Sequence, residues 1–282
     1  MNREILIPAY FDPTDSPKLW TQLNNAANSK EIVAIANPNN GPGKKQQESY
    51  ASAINALKTN GGKTVGYILS GYGKRGIDLM KKDIDNWLTW YPGIDGIFVD
   101  EMSNTNKADH INLYQDIFNY IKGKNTNLRV IGNPGINTLE AYMPTVDTVI
   151  IYEDTQANFK SYKQDAWNLR YDASRFGMLF YNATEADMNS LGATIDTMHV
   201  GSRYCTNDKL NNPWDSLPVY FDALISSWAN KNSTPVEPTP IDPPTDPIPV
   251  ECPVETPTYD YVITLGITKT AVGYSTTVIP AK

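Results

Sequence analysis

GIDLMKKDIDNWLTWYPGIDGIFVDE, residues 76–101, carries the alternation from which the fold follows. Residues 76–91 repeat apolar side chains at a helical period, and Gly96-Ile97-Phe98-Val99 is a short apolar run that ends in Asp100 and Glu101. The same alternation extends in both directions. Upstream lie Ile5-Leu6-Ile7, Ile32-Val33-Ala34-Ile35 and Val65-Gly66-Tyr67-Ile68; downstream lie Leu128-Arg129-Val130-Ile131, Val149-Ile150-Ile151, Met178-Leu179-Phe180 and a weaker run at His199-Val200. Helical stretches are read at 48–59, 109–122, 159–170, 185–191 and 214–229. Buried runs alternating with helices mean βαβ units and a parallel sheet. Eight units within about 230 residues predict an α/β fold closed as a (β/α)8 TIM-type barrel. An open doubly wound sheet fits fewer strands. It also usually carries a glycine-rich phosphate turn after its first strand, where this chain has Pro8-Ala9-Tyr10-Phe11-Asp12-Pro13.

Composition narrows the chemistry. The chain has 282 residues, is 40% apolar and carries a net charge of −7, which argues against nucleic acid or an anionic membrane as partner. No stretch approaches a membrane span. Two cysteines, Cys205 and Cys252, and two histidines, His110 and His199, leave little material for a metal centre or a Ser-His-Asp triad. The two thiols are expected to be free. Catalysis must then rest on carboxylates, without metal or cofactor, and the 17 tyrosines and 6 tryptophans suit carbohydrate better than phosphate. Asn37–Gly43 lacks the P-loop ending and reads as a rigid turn, and Arg75 reads as an anchor for an acidic neighbour.

In such barrels the working residues sit at the C-terminal ends of strands. That rule selects Tyr10 and Asp12, Asn37, Ser70 and Tyr72, Asp100 and Glu101, Asn133, Tyr152 and Glu153, Tyr181, and Tyr204. Tyrosine faces stack on sugar rings, and amides and carboxylates bond hydroxyls; the plain alternative is a tyrosine-capped barrel rim. IFVDE and IIYED each place a carboxylate directly after an apolar strand, where partial desolvation favours the protonated form. Glycoside hydrolysis needs one protonated acid and one ionised carboxylate. Strands four and six can aim these groups across one mouth, whereas Asp100 and Glu101 point oppositely and should not share a task. Helix caps, salt bridges or divalent-metal ligands are the competing readings of the same residues.

The composition changes at about residue 231. Residues 231–258 hold nine prolines and read as an extended acidic linker, so 1–230 is the barrel. Residues 259–282 read as two or three short strands, or a frayed tail. A small sheet is marginal alone, so this tail is expected to pair with another chain or assembly. The opening MNREILIPAYFDP shows no signal-peptide h-region, and a stalk with a pairing tail suits extracellular or surface display, a virion surface included. A non-catalytic carbohydrate-binding or adhesive module on a larger assembly is the alternative function.

Five blocks in order, NPNNGPG (37–43), GYILSGYGKR (66–75), DIDNWLTWYPGIDGIFVDE (83–101), GNPG (132–135) and YED (152–154), resemble the spherulin-4 family, some members of which are classed as glycoside hydrolase family 135. The resemblance implies a (β/α)8 barrel cleaving galactosamine-containing exopolysaccharide in an endo fashion. It implies Asp100 as nucleophile or electrostatic stabiliser, Glu153 as general acid/base, and Glu101 as a tuning or orienting group. Asn40 stands where the family pattern more often has serine, and Ser70 where it has threonine.

Overall fold

In the computed structural model, residues 3–228, 264–270 and 273–279 are described. The strands are β1 (Glu4–Ala9), β2 (Ile32–Ala36), β3 (Lys63–Leu69), β4 (Gly96–Asp100), β5 (Arg129–Gly132), β6 (Thr148–Thr155), β7 (Phe176–Tyr181) and β8 (Ser202–Cys205). All pair in parallel in chain order, and β8 returns to β1 through Glu4↔Ser202 and Ile5↔Arg203, closing the barrel. The helices are α1 (Pro17–Ala27), α2 (Glu48–Thr59), α3 (Ile77–Trp90), α4 (Ala108–Lys124), the single turn α5 (Gln156–Phe159), α6 (Glu185–Ile195) and α7 (Phe221–Trp228). The (β/α)8 barrel read from the sequence is thus the observed fold.

Local chemistry explains the elements. The strands are buried nearly throughout because barrel interior and helix layer cover opposite faces. Helix α6 opens with a reciprocal capping box between Thr184 and Asp187. Gly66 in β3 lets α3 approach: a Cβ there would lie 2.4 Å from the Trp87 ring, whose indole N–H donates to the Tyr67 carbonyl at 2.8 Å. Arg75 pairs with Asp83 at 2.6 Å, anchoring the loop after β3 as its sequence context predicts.

Three expectations are corrected. Strand eight lies at Ser202–Cys205 rather than at His199-Val200. Its Arg203 conceals the apolar pattern, yet the guanidinium is buried, bonded to Asp196 at 2.7 Å and set over Trp228. Residues 159–170 do not form one helix; α5 ends at Phe159 and a 3-10 turn covers Ala166–Arg170. The helix read from Trp214 begins at Phe221, and the residues before it form a loop over the barrel mouth. Helix α1 had no counterpart in the sequence reading.

Separately, β9 (Thr264–Thr270) and β10 (Gly273–Ile279) pair antiparallel. The proline-rich linker and Cys252 lie outside the described residues, and Cys205 is a buried free thiol. Among the described residues, no helix is long and apolar enough to cross a membrane.

Candidate active site

Three neighbouring strands bring the acidic residues together. Asp100 ends β4, Asn133 follows β5, and Glu153 lies near the end of β6. Between Ile150 and Tyr152 the pairing of β6 with β7 shifts register, leaving Ile151 as an extra residue two positions before Glu153. Such a bulge re-aims the side chains that follow it. Past the strand ends, the Asn133 N–H bonds the Val99 carbonyl at 2.9 Å and the Glu153 N–H bonds the Gly135 carbonyl at 2.8 Å. These bonds hold the loops in register with the sheet.

Asn133 stands between the carboxyl groups. Its Nδ2 donates to Asp100 Oδ1 at 2.7 Å and to Glu153 Oε2 at 2.5 Å, so those two oxygens lie within about 5.2 Å of each other. Asp100 Oδ2 accepts from the Tyr67 hydroxyl at 2.7 Å, and the Glu101 backbone N–H adds a third donor to Asp100. Glu153 receives a further bond from the Trp214 side chain. Both acids keep part of their surface open to the cleft while dense protein encloses the carboxyl heads. Burial raises Asp100, opposed by its three donors. Burial and the Asp100 charge push Glu153 up to about 7 against the donation of Asn133 and Trp214. Glu101, nearer the rim, is raised by burial and then by Asp100.

The cleft holds about 350 Å³ and is lined by the three acids, Tyr72, Asn133 and the Pro134–Ile136 turn. Tyr72 is 53% exposed. It and Glu101 both adopt left-handed backbone, at φ 56° and 50°, and the Tyr72 N–H bonds the Glu101 carbonyl at 2.6 Å. Strain of this kind in side-chain-bearing residues persists where surrounding structure holds it, and it gathers at functional sites. A larger cavity of about 520 Å³ lies at the opposite end of the barrel. There Arg129 is paired with Glu4 at 2.6 Å, and Arg175 bonds the carbonyls of Met143, Val146 and Asp147. That face reads as stabilising, in keeping with the N-terminal end of such barrels.

The sequence pattern of spherulation-specific family 4, the spherulin-4 family, matches residues 4–228. The chain belongs to this family. Spherulin-4 of Physarum polycephalum is 35% identical over 160 residues, which cover 56% of this chain and 47% of that protein, so the match spans about half of the relative's length. Among solved structures, Aspergillus clavatus Sph3 in complex with GalNAc superposes with a TM-score of 0.71 at 19% identity, covering 80% of this chain and 97% of that one. A β-D-glucuronidase of Dictyoglomus thermophilum matches at TM-score 0.54 and 8% identity, covering 80% and 50%. These likenesses at low identity show a shared barrel.

Within this spherulin-4 barrel, the residues selected from the sequence divide into two groups. Tyr10, Tyr72, Asp100, Glu101, Asn133 and Glu153 converge, with Tyr10 edge-on to Tyr67 at 5.7 Å and under the charges of Asp100 and Glu153. Tyr181 joins them through Trp214, edge-on at 6.1 Å, while its hydroxyl donates to Asp154. The others build the wall. Asp12 accepts from the Thr14 N–H and Asn37 from the Gly41 N–H, so each folds its own loop. Ser70, Tyr152 and Tyr204 are buried and do not line the cleft. Ser70 donates to the Glu101 carbonyl, and Tyr152 donates to the Thr155 carbonyl among Phe159, Tyr162 and Phe180. Tyr204 packs against Trp214, its hydroxyl without a partner among the described residues.

Two residues of the site escaped the sequence reading. Tyr67 lies inside β3 rather than at its end; a hydroxyl-bearing ring in an otherwise apolar run was the available signal. Trp214 was absorbed into a helix that starts seven residues later. Its backbone carbonyl accepts from the Tyr10 N–H at 3.1 Å, which fastens this loop to the mouth.

Proposed function

We propose that the protein is a glycoside hydrolase acting on a surface or extracellular polysaccharide of the galactosamine-containing class, cutting within the chain and retaining anomeric configuration. The observation that carries this reading is the Asp100–Asn133–Glu153 arrangement: two carboxyls bridged by one amide nitrogen, their facing oxygens no more than about 5.2 Å apart, with different sets of donors. Retaining enzymes place their carboxyls about 5–5.5 Å apart, whereas inverting enzymes leave about 6.5–9.5 Å for a water. Asp100, with three donors, is the better stabilised anion and acts as nucleophile. Glu153, holding its proton up to about 7, is the acid.

Glu153 protonates the glycosidic oxygen as Asp100 attacks the anomeric carbon. The carbon–oxygen bond to the leaving sugar breaks, and a glycosyl ester forms on Asp100. Glu153, now ionised, takes a proton from water, which attacks the same carbon and releases Asp100. Glu101 orients a sugar substituent at the rim, and Tyr72 and Tyr10 offer ring faces. The open cleft suits a chain passing through it. GalNAc in the related Sph3 complex supports the sugar class. In this reading, the paired strands of residues 264–279 form part of an attachment tail behind the linker.

The test is incubation of the protein with galactosamine-containing polysaccharide, followed by product sizing and proton NMR of the first anomer released. Shortened chains bearing the substrate's own anomeric configuration are expected. Asp100→Asn and Glu153→Gln should each lower reducing-end release at least about 1,000-fold while folding normally. Binding by the parent protein without shortening would replace the hydrolase reading with the adhesive one.

A further inference from the structure

Asn133 is placed to do more than touch a ligand. Its Oδ1 accepts from the Gly135 N–H at 3.0 Å, which fixes the amide's orientation and turns Nδ2 toward the acids. Nδ2 has two hydrogens, and Asp100 Oδ1 and Glu153 Oε2 both lie within bonding distance. An amide nitrogen donates only, so each bond favours the ionised carboxylate. We propose that Asn133 is the positioning residue of the pair, one oriented amide that sets the gap between the two carboxyls and lowers the proton affinity of both together. This rests on the reading that Asp100 and Glu153 are the reacting acids.

The surroundings single this residue out. Tyr67 donates to Asp100 and Trp214 to Glu153, each serving one acid. Tyr10 just past β1 and Tyr72 from the loop after β3 sit near the pair as neutral hydroxyls, Tyr181 at the end of β7 lies beside Glu153 with its hydroxyl on Asp154, and Glu101 adds a like charge. Among the described residues, no lysine or arginine lines the cleft. Two carboxylates this close repel, so a shared donor between them counts for more than a donor to either alone. With Asn133 removed, the pair should both spread and hold protons to higher pH.

The experiment is a carbon-13 NMR titration of side-chain carboxyls in the full chain, with the signals assigned through Asp100→Asn and Glu153→Gln. In Asn133→Ala, and in the near-isosteric Asn133→Leu, both titrations should move up by about one pH unit. Tyr67→Phe should move mainly Asp100, and Trp214→Phe mainly Glu153. In hydrolysis, both limbs of the kcat/KM profile should rise in pH, with kcat falling and KM little changed. A folded Asn133 variant in which only one carboxyl shifts, or neither, would overturn the proposal. If both shift while the parent cleaves no glycan, Asn133 keeps its positioning role and the hydrolase reading fails.

Discussion

Asp100 and Glu153 both lose water on leaving apolar strands, and their neighbours then set them apart. A hydroxyl, an amide and a backbone N–H converge on Asp100, while Glu153 has an amide and an indole and also faces the Asp100 charge. This has a consequence for stability. In the unfolded chain Glu153 ionises near its ordinary 4.5, but in the fold it keeps its proton to about 7. As pH rises between those values the unfolded state releases its proton first, so the fold loses stability, with the full cost present above 7 and none below 4.5. Glu153→Gln removes that cost. It should be more stable than the parent at pH 8 by on the order of 3 kcal/mol, with the gap closing toward pH 4, as read by denaturant melts at both pH values. The acids themselves were legible in the sequence because IFVDE and IIYED announce strand ends. Asn133 was legible as a site residue but not as a bridge, since a shared hydrogen bond depends on three strands meeting.

The elements owe their placement to a few close approaches. In β3, Gly66 admits Trp87 of α3, and the indole then bonds the strand's own backbone. Gly66→Ala should force the helix outward and cost about 1–3 kcal/mol, seen as a lowered melting temperature. Gly123, near the end of α4 with nothing within 4 Å of a built Cβ, is the control: Gly123→Ala should leave stability unchanged or raise it by up to about 1 kcal/mol. The apolar runs made seven strands readable directly. β8 was displaced by Arg203, whose burial depends on Asp196, seven residues before it, and on Trp228 of α7. The bulge at Ile151 left no mark in the residue pattern, because the strand is buried without interruption from Thr148 to Tyr152 and no in–out alternation shows which residue is extra. The loop carrying Trp214 was hidden for a related reason: its aromatic and apolar residues imitate the helix that follows.

At the scale of the molecule, the barrel's two ends divide the work. The N-terminal end is tied by paired charges, while the C-terminal end concentrates three acids without a lining cation among the described residues. The family match ends at residue 228, and the chain divides into units 1–235 and 236–282. A chain of residues 1–235 is therefore expected to fold with an unchanged melting temperature and, with substrate, to cleave at the parent's rate; a loss of either would show that the tail contributes to the barrel.

The alternation of apolar runs and helical periods by itself determined the barrel, its strand order and the end at which chemistry is possible, because burial on both faces of a parallel sheet imposes that pattern on the chain. Only the tertiary structure decided which polar strand-end residues share a cleft. Ser70, Tyr152 and Tyr204 look like Tyr72 and Asn133 in the sequence, yet the first three are held in the wall by the Glu101 carbonyl, the Thr155 carbonyl and Trp214, while the other two line the cleft with the acids. The gap between Asp100 and Glu153, and the amide that spans it, follow from the meeting of β4, β5 and β6 in three dimensions.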